Sequence, residues 1–280
     1  MKIKINDNNG LILKTQNKVC KEDIEIIVDE NLGSGFNPTG TINITSNGIV
    51  DVTQYASANV NVQGLPQAND MLQTIVDNTK SCAYLLYRYS GNNVDFIANL
   101  DTSQANSGES MLEYCSDITS VPTFDSSNFT TVRYMFHNDK NLVSIKLNTD
   151  SATNYYSTFD SCYKLKLIDI STFYSYSTTV SNYAFRYCYS LMALVIRKLG
   201  INYIISNNTF YSCHHMLGTT NAAYNPDGLH DGYVYVPRAM IETLSNETNW
   251  ATMQFRALED YTIDGTTTGA LNLAKMGVEV

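Results

Sequence analysis

The sequence predicts a mainly β fold with short helices, organised as small N-terminal β modules followed by a short, capped solenoid of stacked repeats. Three observations carry this expectation. Apolar residues alternate with period two near the N-terminus, a five-fold pattern recurs between Leu112 and Met216, and an atypical segment closes the array behind it.

The first β module is assigned to residues 1–32. Gly10-Leu11-Ile12-Leu13-Lys14 runs into the polar turn Thr15-Gln16-Asn17-Lys18, and Ile24-Glu25-Ile26 resumes the alternation. A Gly-rich link, Gly33-Ser34-Gly35-Phe36-Asn37-Pro38, leads to the second module, residues 33–65. Here Thr41-Ile42-Asn43-Ile44 and Ile49-Val50-Asp51-Val52 flank Asn47-Gly48, whose tolerance of positive φ suits a two-residue hairpin. Asn43-Ile44-Thr45 also matches a glycosylation acceptor, but without a secretory signal it is read as polar residues on a strand face.

Residues 66–105 are expected to connect these modules to the array and to cover its first repeat. Pro66 ends the β region, and Asn69 or Asp70 is placed to cap a short helix carrying Met71, Leu72, Ile75 and Val76 on one face. Ala83-Tyr84-Leu85-Leu86-Tyr87-Arg88-Tyr89 reads as a strand-like aromatic run closed by Ser90-Gly91-Asn92-Asn93.

The array is assigned to residues 106–224. Leu112-x-x-Cys115-x-x-Ile118 is followed by Phe136-x-x-Asp139-x-x-Leu142-x-x-Ile145-x-Leu147 and Phe159-x-x-Cys162-x-x-Leu165-x-x-Ile168-x-Ile170. Phe185-x-x-Cys188-x-x-Leu191-x-x-Leu194-x-Ile196 and Phe210-x-x-Cys213-x-x-Met216 complete it. The leading residues Leu112, Phe136, Phe159, Phe185 and Phe210 stand 24, 23, 26 and 25 positions apart, inside the period of leucine-rich repeats. Each such unit buries one face only by stacking on its neighbours. Cys115, Cys162, Cys188 and Cys213 share one repeat position, so they are expected to form an inward ladder of small buried thiols without disulfides. Asp139 breaks that ladder and calls for a wetter or partnered position.

Residues 225–280 are expected to cap the far end. Gly232-Tyr233-Val234-Tyr235-Val236-Pro237 reads as a strand stopped by proline, with short helices at Ala239 to Leu244 and Asn249 to Leu258 around the single tryptophan, Trp250. The tail from Thr262 reads as a small extra β element or a flexible end.

Composition narrows the function. Eighteen Lys and Arg against 27 Asp and Glu give a net charge of −9, which repels nucleic acid and anionic lipid. No apolar run approaches the length of a bilayer span, and no secretory signal precedes the first acidic and amide residues. No phosphate-cradling loop, nucleophile elbow or zinc-protease helix is visible, so no catalytic residue and no cofactor are assigned. Cys213-His214-His215 lacks a second ligand pair at a metal spacing. Asn225, Asp227, His230 and Asp231 could surround a calcium ion, but a polar turn needs the same residues. No metal is expected.

What the array does carry is tyrosine. Tyr155, Tyr156, Tyr163, Tyr174, Tyr176, Tyr187 and Tyr189, with Tyr183 among them, form the candidate ligand-binding surface, because Tyr supplies broad contact area and a hydroxyl at little entropic cost.

The pattern Phe-x-x-Cys-x-x-Leu-x-x-Ile-x-Ile, clearest from Phe159 to Ile170 and from Phe185 to Ile196, resembles the BspA-type leucine-rich repeat. Val121-Pro122-Thr123-Phe124-Asp125-Ser126-Ser127-Asn128-Phe129-Thr130, leading to Tyr134-Met135-Phe136, resembles a related surface-protein form. The resemblance implies a right-handed solenoid and adhesion to host or matrix surfaces. Residues 38–62 are similar to a module of virion proteins of phages and prophages of Gram-positive bacteria. Tyr235-Val236-Pro237 with Asn249-Trp250 is similar to a closing segment found behind such repeats in those proteins. These flanks imply a tail- or baseplate-associated virion protein, made in the host cytoplasm. Its β modules would contact other virion proteins or trimerise, and its solenoid would bind a host surface glycan or protein without turnover. The competing expectations are a structural or decoration virion protein, a bacterial surface adhesin, and a cell-wall glycan hydrolase with scattered carboxylates.

Overall fold

The computed structural model describes residues 72–216 and 229–280 in full, residues 66–71 by their backbone, and five short strands nearer the N-terminus by theirs. Those strands are β1 (Lys2–Asn6), β2 (Gly10–Lys14), β3 (Ile26–Val28), β4 (Thr41–Asn43) and β5 (Asn59–Asn61). β1 pairs antiparallel with β2, Ile3 opposite Leu13, and parallel with β3. β4 pairs parallel with β5, Ile42 opposite Val60. The link at 33–38 and the turn at 47–48 lie outside the described residues.

Helix α1 spans Pro66–Thr79. Pro66 therefore opens the helix and does not merely close the region before it, as suits a residue with fixed φ and no N–H to leave unpaired in the first turn. Leu72, Ile75 and Val76 are buried against the first coil of the array and seal that end.

The coils are wound by an unusual backbone. In each coil before the last, the residues two before and two after the leading position adopt left-handed φ, as at Tyr134 (56°) and Asn138 (67°), Ser157 (51°) and Ser161 (66°), and Tyr183 (60°) and Tyr187 (58°); around Phe210 only Ser212 (59°) does. Such a conformation costs an ordinary residue roughly 1–2 kcal/mol. Hydrogen bonding holds it in place. The N–H groups of Tyr134, Phe136 and Asn138 reach forward to the carbonyls of Tyr156, Thr158 and Asp160 in the next coil at 2.9–3.0 Å. Those of Met135, His137 and Asp139 close turns inside their own coil at 3.1 Å. Alternate N–H groups thus serve stacking and turning, and both buried sets are satisfied.

The same geometry begins earlier than the spacing of leading residues suggests. Tyr84 and Arg88 are both left-handed at 59°, and Leu86 donates its N–H to Met111 O at 2.8 Å. Ala83 to Tyr89 is therefore a sixth coil led by Leu86, and the strand expected there does not form. Its alternation of aromatic and aliphatic residues comes from the turn ladder, with Leu85, Leu86 and Tyr89 inward.

Inside, the leading residues stack as a column. Phe136, Phe159, Phe185 and Phe210 lie 5.4, 5.8 and 4.8 Å apart, with ring planes 2°, 7° and 20° from parallel. Beyond each turn the chain enters a parallel sheet of order β10-β9-β8-β7-β6. Its strands are β6 (Ser144–Leu147), β7 (Leu167–Ser175), β8 (Ala193–Tyr203), β9 (Tyr233–Val236) and β10 (Phe255–Ala257). Register places Ile145, Ile168, Leu194 and Val234 in one inward row and Leu147, Ile170 and Ile196 in another. These rows complete the core behind the Phe column.

The C-terminal segment closes two surfaces. Trp250 covers the end of the column, 6.0 Å from Phe210 and 5.8 Å from Phe173, with its indole N–H on Tyr203 O at 2.7 Å. The helix expected from Asn249 to Leu258 is replaced by a turn and β10, whereas Arg238–Met240 and α2 (Ile241–Ser245) form the other short helix. The tail is ordered. It bridges Thr262 to Leu271, forms α3 (Leu273–Met276), and ends that helix on Gly277 at φ 72°, a conformation glycine adopts without penalty. Leu258, Met276 and Val278 then cover Leu167, Ala193, Val195 and Tyr235 on the outward face of the sheet. Arg197 donates to the tail carbonyls of Thr267 and Gly269 at 2.8 and 2.9 Å, and Lys166 Nζ to Glu279 O at 2.9 Å. Among the described residues no helix is long and apolar enough to cross a membrane.

Candidate functional site

With much of the outward sheet face covered by the tail, the turn side of the coils is the broad side-chain array that remains. The residue following each leading position projects there, giving the row Tyr87, Glu113, His137, Asp160, Arg186 and Tyr211. Its centre is a chain of polar contacts between successive coils. Glu113 Oε1 meets His137 Nδ1 at 2.8 Å, and His137 Nε2 lies 3.8 Å from Asp160 Oδ2. Asn138 Nδ2 is 2.8 Å from His137 Nε2. Asp160 is buried and is held by Arg186, whose Nε lies 3.1 Å from both carboxylate oxygens and whose Nη2 lies 2.5 Å from one.

Aromatic rings fill the flanks. Tyr134, Tyr156 and Tyr183 meet edge to face at 5.4 and 5.9 Å, and Tyr187 meets Tyr211 in the same way at 5.6 Å. Cations lie over several of them. Arg186 sits 4.1 Å from the Tyr183 centroid, Arg133 4.9 Å from that of Tyr134, and Arg88 5.2 Å from that of Tyr114. Three residues past the row, Lys140, Tyr163, Tyr189 and His214 form a second column. Tyr163 and Tyr189 stack at 5.0 Å, Tyr189 and His214 at 4.8 Å, and Lys140 Nζ lies 5.7 Å from the Tyr163 centroid.

The chemistry of this face follows from how its groups are spent. Rings stacked on one another turn edges and hydroxyls outward and leave few open ring faces. Burial lifts the phenols of Tyr114, Tyr134 and Tyr189 above their ordinary values, so they remain neutral hydroxyls. Arg88, Arg133 and Arg186 balance Glu109, Glu113 and Asp160 on a chain that is acidic as a whole. The surface is therefore locally neutral, cross-braced and rich in hydroxyls.

The tyrosines singled out from sequence are divided by the fold. Tyr156, Tyr163, Tyr187 and Tyr189 stand on this face, half-buried, as does Tyr183. Tyr155 does not. It is 1% exposed, lies 4.9 Å from the Phe173 ring and donates its hydroxyl to Thr172 O at 2.8 Å, so it is a core residue and no part of a surface. Tyr174, near the end of β7, and Tyr176, one residue beyond it, have ring centroids 6.4 Å apart and lie away from the turn rows; Tyr176 is 53% exposed. Residues missed by the sequence reading are Tyr84, Tyr87, Tyr114, Tyr134 and Tyr211 and the charged row between them. A signal was present, because these residues share fixed offsets from the leading positions.

The cysteine ladder stands as a set of buried thiols. Cys115, Cys162, Cys188 and Cys213 donate to the carbonyls of Leu86, Phe136, Phe159 and Phe185 at 2.9–3.1 Å, and none of the five described cysteines is in a disulfide. Leu112, Phe136, Phe159, Phe185 and Phe210 are buried beside them. In Cys213-His214-His215 the three side chains diverge: Cys213 is inward, His214 stacks on Tyr189, and His215 pairs with Asp231 at 2.6 Å. Asn225 and Asp227 lie outside the described residues, among which no group of three His, Cys, Asp or Glu gathers as a metal site would require.

Comparison with known proteins agrees with the coil geometry. No curated protein and no solved structure matches the chain. Residues 87–219 match the BspA type leucine rich repeat region in six copies, so this part of the chain is a leucine-rich-repeat array of the BspA type.

Proposed function

We propose that this is a non-enzymatic binding protein whose repeats present the Tyr- and Arg-braced turn face to a macromolecular surface. The observation that carries the reading is the unbroken run of ring and ion contacts from Arg88 and Tyr114 through His137 and Arg186 to Tyr211, which fixes a neutral, hydroxyl-rich face in place before any partner arrives. Side chains ordered in advance lose little entropy on binding, and Tyr and Arg are the residues that most often anchor such contacts. The finer part of the proposal is that the protein belongs to a phage tail or baseplate and binds the host envelope, with the N-terminal β modules attaching it to other virion proteins or trimerising it. That part is supported by the resemblance of the flanking segments to virion modules.

The test uses labelled full-length protein on cells of the host bacterium. Saturable binding that drops at least ten-fold when Tyr114, Tyr134 and Tyr187 are changed together to Ala supports the turn face. Binding that survives these changes removes it. Immunogold labelling of purified particles reports the site of attachment: label at the tail tip supports the virion reading, and particles without label overturn it. Release of reducing sugar from host walls by the purified protein would replace binding with hydrolysis.

A further inference from the structure

The tail does not cover the whole outward face of the sheet. Beside the end of β6 and the middle of β7 and β8 that face opens into a groove of about 590 Å³, within the size range of small-ligand sites. Ala98, Leu100 and Phe124 give it an apolar wall, and Asp125, Lys146 and Asn148 a polar one.

Its floor is electrically spent. Arg197 grips Asp169 through Nε and Nη2 at 2.7 and 2.8 Å, both side chains being nearly buried, and turns Nη1 to the tail carbonyls. Lys146 and Asp125 both line the groove and Asp150 accepts the hydroxyl of the lining Ser171 at 2.8 Å, so carboxylates are at least as numerous there as cations. A phosphate or carboxylate ligand finds no net positive charge to follow.

The polar wall, by contrast, holds unspent atoms on fixed frames. Asn148 Oδ1 accepts the N–H of Asp150 at 3.0 Å and shares the Ser171 hydroxyl with Asp150 Oδ1, at 3.0 and 2.8 Å, which orients the amide and leaves Nδ2 without a partner among the described residues. Asp125 Oδ1 accepts the N–H and the hydroxyl of Ser127 at 2.9 and 2.6 Å, and its carbonyl accepts the hydroxyl of buried Thr102, so Oδ2 is left over on an anchored loop. Lys146 Nζ also has no partner among the described residues. A purely apolar ligand would strip water from these groups without replacing its hydrogen bonds. A hydroxylated ring with an apolar C–H face satisfies both walls at once.

We infer that the groove is a binding site for a neutral saccharide. Its C–H face lies towards Phe124, Asp125 Oδ2 accepts from a hydroxyl, and Asn148 Nδ2 and Lys146 Nζ donate to neighbouring oxygens. This site shares no residue with the turn face and stands or falls separately from it.

Full-length protein is titrated calorimetrically with neutral oligosaccharides of glucose, galactose and N-acetylglucosamine, and with a uronate oligosaccharide as the charged control. A neutral probe is expected to bind at micromolar to millimolar Kd and the uronate at least ten-fold more weakly. D125N and N148D each keep the Oδ1 hydrogen bonds that hold their loops, and each is expected to weaken neutral binding at least ten-fold with circular dichroism unchanged. Y187A is expected to bind as the parent does. The inference is overturned if no neutral probe binds, if the uronate is preferred, if D125N and N148D bind normally, or if Y187A abolishes saccharide binding. Loss of cell binding in the tyrosine variants with saccharide binding intact tests the turn face alone.

Discussion

Asp139 accepts the backbone N–H of Cys115 at 2.7 Å through one carboxyl oxygen, while its other oxygen is buried without a partner. The carboxyl occupies the rung that a thiol fills in the neighbouring coils. Burial pushes its pKa well above the usual carboxylate range, the Cys115 N–H only partly opposing the rise. The folded chain therefore holds a proton that the unfolded chain releases above about pH 4. Stability is unaffected by this group below that pH and falls as pH rises towards the folded value, by up to about 1.4 kcal/mol per unit. Urea midpoints from pH 4 to 7 should decline for the parent and decline less for D139N. D139C, which restores the thiol rung, should raise the midpoint at pH 7, by the equivalent of about 1–3 kcal/mol in unfolding free energy. Equal pH slopes in the parent and D139N would show that Asp139 is solvated.

The thiols are shielded by the same burial. Cys82 is pushed up to about 12, and Cys115, Cys162, Cys188 and Cys213 are also raised. Iodoacetamide at pH 8 should leave these five unmodified in native protein and alkylate all of them in denaturant, as peptide mass spectrometry would show. Because the unfolded thiols ionise near pH 8.5 and the folded ones higher, stability should fall as pH rises beyond about 8.5. C188A, which loses the bond to Phe159 O and leaves a small void, should cost about 1–2 kcal/mol.

Arg186 is the principal counter-charge of buried Asp160. R186A leaves that carboxylate with Ser161 Oγ at 3.1 Å and a distant His137, and should cost about 3 kcal/mol. Removing both charges in D160A/R186A should recover part of the loss. A double variant as unstable as the sum of the two single changes would mean that the pair is not coupled.

Removal of residues 258–280 should expose Leu167, Val195 and Tyr235 together. Such a chain is expected to bind a hydrophobic dye strongly and to self-associate, measured by fluorescence and light scattering. R197A should instead speed amide exchange across 264–270 and leave the coils protected. Unchanged exchange there would show that the loop does not depend on Arg197.

Much of the array was legible because stacking imposes one rule on every coil. A position that faces the core is apolar or small in nearly every copy, Asp139 being the exception, so Phe136, Phe159, Phe185 and the cysteines repeat visibly. Leu86 was hidden, because its coil carries Tyr89 in the thiol position and opens on a run of tyrosines resembling a strand. The site was legible only in part. Tyr156 and Tyr187 were found through local crowding of tyrosines, and the same crowding brought in Tyr155, which one residue of offset turns inward.

The sequence by itself determined that these residues stack as leucine-rich repeats, since burial acts on each residue's own hydrophobicity and recurs at a fixed period. Tertiary structure alone decided which faces remain available. The Glu113–His137–Asp160–Arg186 row unites residues from four coils, and the tail reaches the sheet from beyond the last one. Charge pairing and face coverage depend on distances across the fold, and no period along the chain records them.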